Sequence, residues 1–126
     1  MQITDAQTDV QSLAGLGSIA VQLLCSGDID ALGAQFGYAL AYDRVPAAAI
    51  RADLAQALTQ LGACGLGSPP DESPTVSYFQ ANDSELFALV EQRIPTDNSG
   101  HVLLELIVSS QGTEKFVVLE QVSAEA

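Results

Sequence analysis

Positive charge is what this chain most lacks. Its 126 residues hold four Lys or Arg against sixteen Asp or Glu, a net charge of −12, and no basic residue occurs from Met1 to Asp43. Exposed charges of one sign sum into a long-range field, which repels phosphate backbones and anionic lipid and attracts basic surfaces. Neither a nucleic-acid partner nor a membrane is therefore expected. The four cations, Arg44, Arg51, Arg93 and Lys115, are scattered and form no nucleic-acid footprint. Arg51 is expected to make a local ion pair with Asp43 or Asp53.

Histidine and cysteine are scarce too. A single histidine, His101, excludes any site that needs two imidazoles, and its place after Ser99-Gly100 reads as a solvated turn position. Cys25 and Cys64 are too few for a disulfide framework and, with one His, do not make a zinc spacing. Both read as buried thiols acting as small hydrophobes. The longest uncharged stretch, Val10 to Gly27, is interrupted by Gln11, Ser12, Gly15, Gly17, Ser18 and Gln22, so it reads as an amphipathic helix and not a membrane span. No basic segment precedes an apolar run, so no signal peptide is visible and the cytoplasm is the expected compartment.

What is present is a foldable core. Hydrophobic residues make up 48% of the chain and charged residues 16%, far from the composition of disorder. The length suits one domain, 1–126. A helical part, 1–62, is followed by a Gly/Pro-rich connection, 63–74, and a β-rich part, 75–123. Val10, Leu13, Leu16, Ala20, Leu23 and Leu24 recur at helical spacing, with Thr4 or Asp5 as N-cap and Gly27 as terminator. Gly15 and Gly17 each weaken that helix by ~1 kcal/mol relative to Ala, so it bends there or admits a close neighbour.

From Ile29 to Ala41 the apolar positions again match a helix, capped by Ser26 or Asp28, with Leu32 and Phe36 inward. The absence of β-branched residues from Asp30 to Arg44 favours helix over a strand at Tyr38–Tyr42. Pro46 opens the third helix, whose stripe is Ala47, Ile50, Leu54, Ala57, Leu58 and Leu61, and Gly62 ends it. Four β-favouring runs follow, Thr75–Ala81, Glu85–Ile94, His101–Ser109 and Lys115–Val122, joined by turn-rich connections. The expected fold is α+β, with three N-terminal helices packed on a four-stranded antiparallel meander. Val102, Leu104, Leu106 and Val108 face the helices. Leu103, Ile107, Val117 and Leu119 form a second apolar set that either faces a partner or is buried by curling of the sheet.

No constellation carries catalysis, a metal or a cofactor. Asp28-Ile-Asp30 lacks the remaining ligands and central glycine of a calcium loop, and Asp28 is better used at a helix N-terminus. Asp71-Glu72 reads as a solvated pair. Gly62, Gly65 and Gly67 follow a helix and lack the Lys-Ser/Thr of a phosphate loop.

Ser26-Gly-Asp-Ile-Asp-Ala-Leu32 resembles the turn opening the second helix of SnoaL-like proteins in the nuclear transport factor two superfamily. Ala48-Ala-Ile-Arg-Ala52 is similar to the start of their third helix. That resemblance implies a cone-shaped sheet with Tyr38 to Asp43 as a strand, a pocket for a small apolar molecule, and Asp43 and His101 as the acid-base candidates. In general format the chain also resembles small acidic immunity proteins that neutralise bacterial toxins. This second resemblance implies a non-enzymatic inhibitor that occludes a basic protein, steered by charge and anchored by apolar contacts. The expected partner-binding residues are Asp71, Glu72, Asp83, Glu85 and Asp97 in or beside loops, with Leu103 and Ile107 as apolar anchors. A sheet-mediated homodimer of structural role is the remaining expectation.

Overall fold

The computed structural model describes residues 1–125, in which three helices precede a meandering sheet. Helix α1 (Val10–Ser26) is capped by Asp9, whose carboxylate accepts from the Ser12 amide at 3.2 Å and the Ser12 hydroxyl at 2.6 Å. Those bonds, the side-chain one first, hold the Asp9 carboxyl below its ordinary range. The cap is therefore later than Thr4 or Asp5, which instead open a 3-10 turn at Asp5–Gln7. Gly17 lies where the helix meets the sheet. A Cβ there would lie 2.8 Å from Val90 Cγ1 and 2.9 Å from Pro74 Cγ, so glycine allows this approach.

Helix α2 (Ile29–Phe36) starts on Asp28, as expected, but ends five residues before Ala41. At Gly37 the backbone turns to φ 69°, ψ −169°, and Tyr38 is extended before a 3-10 turn at Ala39–Ala41. The reason is tertiary: Tyr38 is buried, with its hydroxyl donating to Asp53 Oδ2 at 2.5 Å and accepting from the Val122 amide at 3.4 Å. A continuing helix would carry that ring away from its partners. Leu32 and Phe36 are fully buried, as expected. The stretch from Tyr38 to Asp43 is no strand either, although the resemblance to SnoaL-like proteins implies one there. Helix α3 (Pro46–Leu61) has Pro46 in its first turn and closes on Gly62.

The sheet has five strands and not four: β1 (Gln2–Ile3), β2 (Thr75–Tyr78), β3 (Leu86–Pro95), β4 (His101–Gln111) and β5 (Glu114–Glu125). Their spatial order is β1-β5-β4-β3-β2, antiparallel throughout. The expected four-strand meander is present, and β1 adds to its edge through Gln2↔Phe116 and Ile3↔Lys115. Two residues carry no readable periodicity, which is why the sequence does not announce β1. Strand β2 stops at Tyr78, short of Ala81.

Helices cover one face of this sheet. Val90, Ile94, Val102, Leu104, Leu106 and Val108 all point into the core, each at most 1% exposed. Val117 and Leu119 join them, contrary to the expectation that they share the opposite face with Leu103 and Ile107. Directly paired residues of antiparallel strands share a face, and the register pairs Val117 with Val108 and Leu119 with Leu106. Beyond them Glu105 pairs with Gln121, leaving Glu120 as the extra residue of a bulge. Among the described residues no helix is long and apolar enough to cross a membrane.

Candidate partner-binding face

The face of the sheet away from the helices is built by alternation. Along β3, Val90, Gln92 and Ile94 are buried, so Leu89, Glu91 and Arg93 project to the other side. The register aligns Leu89, Ile107 and Val118 in one cross-strand row, Glu91, Glu105 and Gln121 in the next, and Arg93, Leu103 and Ser123 in a third. Leu89, Leu103, Ile107 and Val118 are half-buried and lie outside the core cluster. Leu89, Ile107 and Val118 form one apolar row, and the row of Glu91, Glu105 and Gln121 separates it from Leu103.

The electrostatics of the molecule are one-sided at the level of individual pairs. Each cation is already matched: Arg44 with Asp53 at 3.6 Å, Arg51 with Asp30 at 3.1 Å, Arg93 with Glu125 at 2.6 Å and Lys115 with Asp5 at 3.7 Å. Arg51 thus pairs with neither Asp43 nor Asp53, because α2 brings Asp30 to it. Among the described residues the other twelve Asp and Glu side chains, equal in number to the net negative charge, make no ion pair. On the open face Glu91 stands directly opposite Glu105, an arrangement that is unfavourable for like charges. Gln121 Nε2 donates to Glu105 Oε1 at 2.6 Å, while Glu91 makes no ion pair or side-chain hydrogen bond among the described residues.

Where β2 begins, this face runs into a cleft of about 250 Å³ lined by Glu72, Ser73, Thr75, Glu91, Gln92, Arg93, Leu103 and Glu125. A second cleft, of about 220 Å³, lies against α1 and the Pro69–Pro74 loop, and Gln92 lines both. Gln92 is 6% exposed; its Nε2 donates to the Arg93 carbonyl at 3.0 Å, and its Oε1 is buried without a donor.

The expected contact residues divide between places. Glu72 and Leu103 meet in the cleft, Asp71 lines its neighbour, and Ile107 occupies the apolar row. Asp83 and Glu85 sit in the β2–β3 connection at the opposite end of the sheet, where the Glu85 carbonyl accepts from Ser110 N at 2.8 Å. Asp97 is tied into the β3–β4 turn, its Oδ1 accepting from Cys64 N at 3.2 Å. Glu91, Gln92, Glu105 and Glu125 are absent from the expected set, although period-two alternation along the strands was the signal that could have found them. The acid-base candidates Asp43 and His101 are both exposed, and neither lines any of the four described clefts. The cysteines differ from expectation: Cys64 is exposed, and Cys25 is half-buried with its thiol pushed up by burial. Comparison with family models, curated proteins and solved structures finds no match.

Proposed function

We propose that this chain is a non-enzymatic binding protein, an inhibitor or immunity protein, that receives a basic protein on the open face of its sheet. The observation that carries the reading is the half-buried row Leu89, Ile107 and Val118 lying beside Glu91 and Glu105, which make no ion pair among the described residues. Uncompensated charge steers a basic partner into encounter, and a desolvated apolar strip supplies the attachment. A second copy of the chain fits less well. A two-fold dimer on this face would place two copies of the Glu91–Glu105 pair in one interface, adding negative charge with no cation to offset it.

The test is a stopped-flow salt series against a basic protein, beginning with the product of the neighbouring gene. Association is expected to slow about tenfold or more between low and physiological salt, where the Debye length falls to ~8 Å, while dissociation changes little. Ile107→Ala is expected to speed dissociation, and charge reversal at Asp83 and Glu85 to slow association through the long-range field alone. Salt-independent association would remove the electrostatic basis of the proposal. A chain that binds a small apolar ligand and no protein would overturn it.

A further inference from the structure

Resting on the reading of a basic protein partner, we propose that this partner adds an extended segment, with Lys or Arg at both of its ends, as a further strand along the free edge of β2. The two edges of the sheet differ. On the β5 edge the Met1 carbonyl accepts from the Val117 amide at 2.7 Å, Gln2 and Ile3 pair with Phe116 and Lys115, and the Val122 amide donates to the Tyr38 hydroxyl at 3.4 Å. The β2 edge has no such cover. The Phe79 amide donates to the Phe87 carbonyl at 3.0 Å, in register with Tyr78↔Ala88, which turns the backbone groups of Phe79, Ser77 and Thr75 towards β3 and those of Val76 and Tyr78 away from it. Among the described residues no hydrogen bond reaches the N–H or C=O of Val76 or Tyr78 on that outer side.

Sheet edges are ordinarily closed to other chains by Lys, Pro or a bulge within the strand. From Thr75 to Phe79 there is none of these, and the segment Thr-Val-Ser-Tyr-Phe is uncharged and rich in β-favouring residues. Its flanks are acidic. Asp71 and Glu72 precede it, Asp83 and Glu85 follow it, all four are exposed, and none makes an ion pair among the described residues. Acids that lie at opposite ends of the sheet are thus joined by one unpaired strand. Backbone pairing attaches an extended segment, and charge at the two ends selects a basic one. The incoming residue beside Ser77 would continue the row Ser77, Leu89, Ile107 and Val118, so edge and open face form one surface. A second copy fits this edge less well, because β2 paired antiparallel with itself sets Asp71 and Glu72 of each copy towards Asp83 and Glu85 of the other.

The experiment titrates the whole chain with a cyclic β-hairpin whose free edge reads Lys-Val-Thr-Val-Arg, following backbone amides and their hydrogen exchange by NMR. Saturable shifts centred on Val76 and Tyr78 are expected, with exchange of those two amides slowed about tenfold or more at saturation. N-methylation of the hairpin's outward amides keeps its charge and side chains and is expected to weaken binding about tenfold; it alters the probe and not the protein, so folding does not enter. Replacing the hairpin's Lys and Arg by Glu is expected to abolish binding. Absence of saturable binding, equal shifts in α2 at Asp28 and Asp30, or undiminished binding of the N-methylated hairpin would overturn the edge site in favour of diffuse charge attraction. Protection of Val76 and Tyr78 that grows with protein concentration and needs no hairpin would overturn the occupant in favour of a second copy. A basic protein that binds through Ile107 and leaves exchange at Val76 and Tyr78 unchanged would sink the edge inference alone. If the hairpin pairs with β2 and protein association is salt-independent, the wider functional reading fails and the edge site remains.

Discussion

The two faces of the sheet are made from similar side chains and do different things. On the inner face Leu104, Leu106 and Val108 are sealed by the helices, fully removed from water. On the outer face Leu103 and Ile107, their immediate neighbours in the same strand, are only half-buried and stand among Glu91, Glu105 and Arg93. Hydrophobicity alone does not separate the sets. What separates them is whether a helix lies opposite, and the strip left without one is where a binding surface can exist.

The largest break in that comparison comes from paired truncations in β4. Leu106→Ala is expected to destabilise by about 2–5 kcal/mol, because a cavity remains in a close-packed core. Ile107→Ala is expected to change stability by under about 1 kcal/mol. Urea midpoints measure both, and equal losses would mean that the outer row is covered after all. The same contrast exists within α1. Gly17→Ala, whose new methyl would press on Val90 and Pro74, is expected to destabilise by about 1–3 kcal/mol. Gly15→Ala, with nothing within 4 Å of the added Cβ, is expected to stabilise by about 0.5–1 kcal/mol. A gain from both substitutions would show that the α1–sheet contact yields easily.

Tyr38 tests the edge where the helical layer meets β5. Burial first, and then its bond to Asp53, raise its ionisation above the ordinary tyrosine range. A raised folded-state value means that its contribution is complete below the ordinary value near ~10 and is lost as pH climbs towards the folded-state one. Tyr38→Phe is expected to lower neutral-pH stability by about 1 kcal/mol. The wild type should then lose stability above about pH 10 more steeply than the variant, as thermal melts across that range would show. Parallel alkaline slopes would mean that Tyr38 ionises equally in both states. The smallest effect is on the outer face. Glu91→Gln removes one member of the opposed acidic pair and is expected to stabilise by about 0.2–0.5 kcal/mol at low salt, with the gain fading as salt rises. A loss of stability would show that Glu91 already has a compensating partner.

Helix starts and stops at Asp28, Pro46, Gly27 and Gly62, and the meander from Thr75 onward, were legible because each depends on local chemistry: a side-chain acceptor, a fixed φ, a left-handed backbone or a turn. The candidate site was legible only in fragments. Glu72, Leu103 and Ile107 stood out by position, but Glu91, Gln92 and Glu105 become neighbours only through strand register.

From the sequence by itself came the α+β class, most helix limits and the large excess of acid, since composition, capping and periodicity act within a few residues of chain. The tertiary structure decided the rest. It ended α2 at Phe36 because Tyr38 has partners in Asp53 and at Val122, and it recruited Gln2 and Ile3 as a strand by pairing them with β5. It turned Val117 and Leu119 inward by their pairing with β4. Each of these outcomes depends on groups from different elements meeting in space, from 9 residues apart for Val108 and Val117 to 114 for Gln2 and Phe116, beyond the reach of capping and periodicity.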